Sequence, residues 1–283
     1  MATVAFYTEV MDDRARDLQA MLDILQDVGA NSALIGGLAV GYHGRPRATV
    51  DVDLLVPGRF LKRIAAAARG HDYVVRAFQG MIRIYPPGSG PKAESIADFV
   101  SADANPVLRA AFRQVEAAEL LGEPVQIVNR AALVALKFHA AVSPDRAIED
   151  KYQDIADIGR IIGKRFDAQD EETARRIAAL SYPGADDDFA ALIDHLRHGR
   201  PVKDLMRVVG KAGRRYDLKT LRTVLNRTQS DVARAAGMAQ GDVSLLEARK
   251  DVKLSTLARY AAALGGAAEV AVVIDGRRYL LDL

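Results

Sequence analysis

The sequence predicts two folded domains of different class, a mixed α/β domain followed by an all-α domain that ends in a β-hairpin. In residues 1–165, helical spacing of apolar residues alternates with short strand-like runs, which is typical of a mixed sheet with flanking helices. From Asp217 onward, short helical patterns follow one another closely. Two strand-like runs then meet at Asp275-Gly276, and Asp-Gly is a strong hairpin signal. The 283 residues, 49% of them hydrophobic, are enough for one large core or two to three smaller ones.

The elements of the first domain follow from apolar periodicity and from turn residues. A helix is predicted from Val10 to Val28, because apolar residues recur there at helical spacing and Gly29 ends the pattern. Asn129 is predicted to cap a later helix. Strands are predicted at 32–35, 50–56, 73–78, 82–85, 96–100 and 125–128, and further helices at 38–42, 60–68, 129–142 and 148–162.

A charge reversal separates the two domains. Residues 166–195 hold eight Asp or Glu and two Lys or Arg, whereas residues 196–228 hold ten Lys or Arg and two Asp. The basic block suits nucleic acid, and the alternative is a pair of solvated helix faces that neutralise each other. We therefore predict a first domain at 1–165, a helical connector at 166–215 and a second domain at 216–283.

Composition excludes several classes of site. The chain has no Cys, which excludes disulfides, thiolate nucleophiles and Cys-ligated zinc. The N-terminal residues lack the pattern of a signal peptide, and no apolar run reaches the roughly 18 residues of a membrane span. The expectation is a cytoplasmic protein with no membrane partner.

The first group of candidate residues lies between Ala33 and Val56. Gly36 and Gly37 follow a short strand and open a helix, where backbone N–H groups can cradle phosphates. Asp51 and Asp53 alternate along the next strand, so their carboxylates share a face and repel each other unless a cation lies between them. Oxygen ligands in this arrangement suit Mg²⁺. Asp98, a lone carboxylate in an apolar strand, is a third candidate, since Asp is unfavourable there.

This order of residues resembles a known family. Gly-Gly-x-Ala, His-Gly and Arg-x-Thr-x-Asp-x-Asp-Leu resemble the AbiEii/AbiGii branch of the polymerase-beta-type nucleotidyltransferases, which supplies toxins of certain toxin–antitoxin systems. The resemblance covers roughly residues 15 to 163. It implies that Asp51 and Asp53 hold Mg²⁺, or Mn²⁺, on a nucleoside triphosphate. Asp98 would complete a second metal position or take the proton of the acceptor hydroxyl.

The same branch carries a Lys on one helix and a Lys and an Asp on the next. Lys137, Lys151 and Asp154 match these positions. The resemblance implies that Lys137 binds triphosphate oxygens, with Lys151 and Asp154 at the nucleotide. The alternative for Lys151 and Asp154 is an ordinary ion pair within one helix. Arg47 either clamps phosphate or bridges to Asp51, and His43 is expected to make a structural hydrogen bond.

The second group of candidate residues lies between Leu225 and Gly265. The order Thr-Gln, Val-Ala, Gly, Gln-x-x-Val-Ser-x-x-Glu, Ser-Thr-Leu and Ala-Leu-Gly resembles the lambda-repressor-like (Cro/C1, Xre) helix-turn-helix family. The resemblance implies a recognition helix at residues 240–248 in the major groove of operator DNA. The implied DNA contacts are Gln240 and Ser244 to bases and Gln229, Arg249 and Lys250 to phosphates. The alternative is a helix-turn-helix that contacts only protein.

Together these resemblances predict a bifunctional chain, expected to form a homodimer through its terminal hairpin. One half would transfer a nucleotide from an NTP to an RNA acceptor, tRNA by analogy, or to a protein. The other half would bind an operator, as in a toxin–antitoxin system. The alternative is a transcription regulator whose first domain senses a nucleotide or is inactive. An antibiotic nucleotidyltransferase ranks last, because that class has no reason to carry a DNA-binding tail.

Overall fold

The computed structural model divides into two compact units, Met1–Val209 and Gly210–Leu283. It describes residues 2–47, 49, 51–143, 146–163, 166–182, 184–200, 218–225, 227–249, 251–274 and 277–281. No helix among these residues has the length and apolarity needed to cross a membrane.

A mixed seven-stranded sheet forms the centre of the first unit, as the sequence predicts. Its order is β3-β4-β5-β2-β1-β7-β6. The pairs β2–β5 and β1–β7 are parallel, and the other neighbours are antiparallel. The strands are β1 Ala33–Leu34, β2 Val52–Val56, β3 Val74–Phe78, β4 Met81–Tyr85, β5 Ala97–Ser101, β6 Val115–Leu120 and β7 Glu123–Val128. Strands β2 and β5, which carry the candidate carboxylates, are therefore internal strands.

Eight described helices surround this sheet. They are α1 Ala2–Val28, α2 Gly36–His43, α3 Leu61–Gly70, α4 Pro106–Phe112, α5 Arg130–Val142, α6 Ile148–Ile161, α7 Ala168–Ala178 and α8 Ala185–Arg197, with a 3₁₀ turn at Gly58–Phe60. Helix α1 packs on α3, whereas α2, α5 and α6 pack on one another. Helix α5 is buried along most of its length. The predicted cap is confirmed, since the Asn129 side chain accepts a hydrogen bond from the N–H of Ala132 at 2.9 Å.

The structure differs from the sequence expectations in this unit, first at helix α1, which begins at Ala2 rather than at Val10. Helix α2 begins at Gly36 itself rather than at residue 38, and α4 and β6 were not predicted. Helices α7 and α8 belong to the first unit and do not form a connector. Phe189 of α8 packs edge-on against Phe138 of α5, with ring centroids 5.4 Å apart. The acidic residues of 166–195 lie on the outside of these helices. Because they dominate the composition of this segment, the sequence pattern does not reveal the apolar face that packs inward.

The second unit contains four described short helices and a two-stranded sheet. They are α9 Leu218–Val224, α10 Gln229–Ala236, α11 Gln240–Ala248, α12 Leu254–Ala263, β8 Val270–Ile274 and β9 Arg277–Leu281. The strands pair antiparallel, and the predicted turn residues Asp275 and Gly276 lie outside the described residues. Val232, Val243, Leu246 and Tyr260 form its core. On α12, Tyr260 is fully buried and Leu257 is half-buried.

Candidate functional site

Three carboxylates converge where β2 and β5 lie side by side. The parallel register places Asp53 opposite Asp98, and Asp51 lies one residue before β2. One carboxylate oxygen from each of Asp51, Asp53 and Asp98 lies within 4.8 Å of the other two. The structure therefore brings together residues that are up to 47 positions apart in the sequence, at a separation that one or two cations can bridge.

The electrostatics of this triad favour a bound cation. Burial, together with the neighbouring charges of Asp51 and Asp98, raises the pKa of Asp53 to about 7 against the lowering effect of Lys137 and Arg146. Burial also raises the pKa of Asp98, against the lowering effect of Arg83. Negative charges that repel one another in a buried place are costly, and a divalent cation removes that cost.

The donor set fits Mg²⁺ or Mn²⁺. All three side chains offer carboxylate oxygens, the ligands these hard cations take. Within the described part of the chain, Oδ1 of Asp98 is buried with no hydrogen-bond partner, and Nε of Arg83 donates to Oδ2 at 3.1 Å. A buried oxygen of this kind needs a partner, and either a cation shared with Asp51 and Asp53 or the hydroxyl group of a bound acceptor would supply one.

The glycine pair is required by the side chains behind it. Gly36 has φ +67°, and a Cβ there would lie 1.7 Å from Oδ2 of Asp53. A Cβ on Gly37 would lie 2.3 Å from Oγ1 of Thr49. The backbone of α2 can begin beside the triad because neither position has a side chain. No side chain caps this helix start at Ile35, so its first N–H groups remain available to an anion such as phosphate.

A cleft of about 300 Å³ opens beside the triad. Its lining includes charged residues, namely Asp53, Asp98, Arg83, Lys137, Arg146 and Asp154. It also includes apolar residues, among them Met81, Val100, Leu108, Leu133 and Leu136. A cleft with this mixed lining suits a ligand that has both charged and apolar groups.

Two buried carboxylates on α6 fix the positions of the basic side chains of this cleft, Lys137 and Arg146. Nζ of Lys137 donates to Asp154 and to Asp157, each at 2.9 Å. Nε of Arg146 donates to Asp154 at 2.9 Å. Asp154 and Asp157 are fully buried. Because the Lys137 ammonium is shared between two carboxylates, it is fixed in position beside Asp53.

Arg47 belongs to the same ion-pair network, and its partner is Asp157 rather than Asp51. Its Nε and Nη2 donate to the two carboxylate oxygens of Asp157 at 2.9 and 3.1 Å, and Arg160 donates to Asp157 at 2.9 Å. Burial alone raises the pKa of Asp157, but hydrogen bonds from Arg47 and Lys137 outweigh it, and the pKa lies below its ordinary value. Of the two interpretations offered for Arg47, the bridge to Asp51 is therefore replaced by a bidentate pair with Asp157.

The remaining candidate residues of the first unit do not line the cleft. Lys151 lies half-buried on the first turn of α6 and does not line the cleft. Nε2 of His43 donates to the carbonyl oxygen of Val128 at 2.7 Å, which is the structural hydrogen bond expected of it.

Sequence reasoning missed Asp157, Arg146 and Arg83. For Asp157 a signal existed, because it follows Asp154 by three residues on a helix whose Ile155 and Ile158 are buried, so both acids face inward. Arg83 could be found only from the strand register, which pairs it with Asp98.

Two of the DNA-binding candidates of the second unit contact each other. Nε2 of Gln240 donates to Oε1 of Gln229 at 2.7 Å, and Nε2 of Gln229 donates to Glu247 at 3.0 Å. Gln240, Ser244 and Arg249 are exposed. Lys250 lies outside the described residues. The two glutamines thus link the starts of α10 and α11 on one exposed side.

Comparisons with known proteins identify no family for this chain. No protein-family model matches the sequence, and no curated protein is significantly similar to it. The fold is similar to that of an antigenic nucleotidyltransferase-like protein from Paracoccidioides brasiliensis, at 16% identity over 65% of this chain and 93% of the other, with a TM-score of 0.40.

Two further solved structures are similar at the same level. The lincosamide antibiotic adenylyltransferase LnuA, bound to lincomycin, is 13% identical over 52% of this chain and 96% of its own, with a TM-score of 0.36. The antibiotic-resistance factor ANT(2'')-Ia is 17% identical over 65% of this chain and 97% of its own, with a TM-score of 0.42. At such identities and scores the similarity does not establish a reaction for this chain, which must be argued from its own residues.

Proposed function

We propose that the first unit is a magnesium-dependent nucleotidyltransferase. The observation that carries this proposal is the convergence of Asp51, Asp53 and Asp98 within 4.8 Å beside the uncapped Gly36-Gly37 start of a helix. Three carboxylates need a cation, and a helix start with free N–H groups suits the phosphates that such a cation carries. A pure binding module has no need of three converging acids.

Each residue of the site has a separate role in the proposed transfer. Asp51 and Asp53 would hold the cation, which when bound neutralises triphosphate charge. The Gly36 and Gly37 backbone would bind the phosphates. We assign Oδ1 of Asp98 to accept the proton of the acceptor hydroxyl. The acceptor oxygen then forms a bond to the α-phosphorus, the bond from that phosphorus to the bridging oxygen breaks, and pyrophosphate leaves with that electron pair.

The buried network behind the cleft supplies positive potential to the leaving group. Asp154 and Asp157 carry two negative charges, whereas Lys137, Arg146, Arg47 and Arg160 carry four positive charges. The Arg146 side chain is 41% exposed and lines the cleft, so its guanidinium can reach phosphate. Lys137, held by two carboxylates, contributes its field to the same place.

Label transfer tests this function directly. The full-length protein is incubated with each α-labelled NTP, Mg²⁺ and total RNA or cell lysate. We expect label in a macromolecule with wild type and none with Asp51→Ala/Asp53→Ala. No transfer by the wild type, or equal transfer by the double variant, contradicts the proposal. An NTP that alters DNA binding without turnover would indicate a nucleotide-sensing regulator instead.

We further propose that the second unit binds operator DNA, and that the chain works in a toxin–antitoxin setting. The DNA-binding proposal is supported by Gln240 and Ser244, which are exposed on one helix, and by the exposed Arg249 that follows it. Duplexes enriched from a random pool by the full-length protein supply the probe. Gln240→Ala should weaken binding of the enriched duplex about tenfold, since a bidentate base contact is worth ~1–3 kcal/mol. Arg259→Ala, an exposed change on α12, serves as the control. Equal binding by wild type and Gln240→Ala contradicts the base contact.

A further inference from the structure

A straight row of charged side chains crosses four strands of the sheet, starting at the triad. Asp53 on β2 lies opposite Asp98 on β5, which lies opposite Arg83 on β4, which lies opposite Arg76 on β3. Directly opposed residues of neighbouring strands project from the same face, at steps of about 5 Å. Strand β3 is the edge of the sheet. Two carboxylates are therefore followed by two guanidiniums on the way from the triad to the edge.

Each arginine of this row lies on an aromatic ring. The Arg83 guanidinium lies over the Phe78 ring, 5.4 Å from its centroid, and the Arg76 guanidinium lies over Tyr85 at 4.0 Å. Phe78 is 51% exposed, and the Arg83 side chain is 44% exposed. Arg76 also donates to the carbonyl oxygens of Gly90 and Pro91 at 2.7 and 3.2 Å, which fixes its position. The row thus presents fixed cations and an exposed aromatic face together.

The surrounding segment is strongly basic. Residues 57–92 contain seven Lys or Arg and one Asp. This part of the chain therefore attracts a polyanion, and the row of Arg76 and Arg83 leads such a polyanion to Asp98.

We propose that this row, defined by Arg76, Phe78 and Arg83, binds a single-stranded RNA acceptor and directs its terminal hydroxyl to the triad. The proposal rests on the proposed nucleotidyl transfer and names the acceptor class for it. Guanidiniums bind backbone phosphates, and an exposed aromatic ring stacks on a base without regard to sequence. An acidic protein segment would use the arginines but gain nothing from stacking on Phe78, so the surface favours RNA.

Binding of a fluorescent single-stranded RNA to the full-length protein tests this surface. Anisotropy is measured with excess unlabelled duplex DNA to occupy the second unit. Arg76→Glu should weaken binding about tenfold and reduce its salt dependence, and Phe78→Ala should weaken it about fivefold. The matched control is Arg63→Glu. Arg63 also lies over an aromatic ring, Phe60 at 5.4 Å, but it belongs to α3. Arg63 is exposed on α3 and lies outside the strand pairing that forms the row.

The outcomes of this test are separable from those of the transfer assay. RNA affinity that is unchanged in both Arg76→Glu and Phe78→Ala, or lowered equally by Arg63→Glu, overturns the proposal even if transfer occurs. If the wild type transfers no label, the proposed function is wrong. The binding measurement still shows whether the row of Arg76, Phe78 and Arg83 binds RNA. If transfer occurs, Arg76→Glu should lose most RNA labelling yet keep its stabilisation by NTP and Mg²⁺ against heat. Label found on protein and unaffected by Arg76→Glu identifies a protein acceptor and overturns the proposal.

Discussion

Asp53 is the residue at which stability and the proposed activity oppose each other most directly. Its pKa is raised to about 7 by burial and by Asp51 and Asp98. The unfolded chain releases this proton near the ordinary value of 3.8, so without metal the folded state loses stability as the pH rises from about 4 to 7. A cation that needs the ionised carboxylate offsets this loss.

The first prediction follows from that linkage. Because a cation must displace the proton of Asp53, Mg²⁺ should raise the unfolding temperature more at pH 8 than at pH 5.5. Asp53→Asn should unfold at a higher temperature than wild type in EDTA at pH 8, lose its response to Mg²⁺ and lose transfer. Thermal unfolding with and without Mg²⁺ measures all of this. A response to Mg²⁺ of equal size at both pH values would count against the cation site.

A second prediction concerns Gly36. A Cβ at this position would lie 1.7 Å from Oδ2 of Asp53, and the backbone φ of +67° is unfavourable for Ala. Gly36→Ala should therefore displace the Asp53 carboxylate, cost ~1–3 kcal/mol of stability and abolish label transfer. Gly41→Ala in the same helix is the control, because its Cβ would meet nothing closer than 3.8 Å. Full transfer by Gly36→Ala would show that the triad does not need this glycine.

At the scale of elements, helix α6 organises the cations behind the cleft. Its Asp154 and Asp157 are one turn apart and face α5, which carries Lys137. Asp157 receives Arg47, Lys137 and Arg160, and these cations hold its pKa below 3.8 despite its burial. Its stabilising contribution is therefore fully present above about pH 4 and is lost as the pH falls through the lowered pKa.

The third prediction tests this role of α6. Asp157→Asn leaves buried cations without their counter-charge and should lower the free energy of unfolding by ~3 kcal/mol or more at pH 7. The difference from wild type should shrink below pH 4, where wild-type Asp157 takes up its proton. Urea unfolding at both pH values measures it. Asp150→Asn, an exposed change on the same helix, should alter stability by less than ~0.5 kcal/mol. A difference that is the same at both pH values would rule out the ionised carboxylate as the cause.

At the scale of the whole molecule, each unit has its own hydrophobic core and its own network of hydrogen-bonded charged side chains. The second unit depends on Glu247, which accepts hydrogen bonds from Arg222 at 2.6 Å, Gln229 at 3.0 Å and Tyr260 at 2.7 Å. Burial raises the pKa of Glu247, but these three donors lower it to about 2. Glu247 thereby joins α9, α10 and α12 to α11.

The fourth prediction is that the two units unfold in separate transitions. Calorimetry of the full-length protein should show two transitions, because two-state behaviour belongs to single domains. Glu247→Gln should lower the temperature of one transition, and Asp157→Asn that of the other. A single transition that both variants shift equally would show that the units fold as one cooperative body.

Prediction from sequence succeeded where local chemistry sets the structure. The closeness of Asp51 and Asp53 and the Asn129 cap each depend on residues within a few positions, and the structure contains both, with Asp51 one residue before β2. The glycine pair begins helix α2 instead of forming a turn before it. The predictions were less accurate for residues 166–200, where charge at the surface masked the apolar faces of α7 and α8 that pack on the first unit.

By itself, the sequence determined the mixed α/β class of the first unit, the carboxylates of the proposed cation site and the glycines beside them, because composition and short-range periodicity encode these features. The tertiary structure alone decided which distant groups meet. Strand register placed Asp98, Arg83 and Arg76 in one row with Asp53, and packing of α6 on α5 gave Lys137 and Arg47 their buried partners. Apart from the Arg76–Arg83 pair, these contacts join residues 15 to 110 positions apart, and a free chain closes such loops only when the whole core forms.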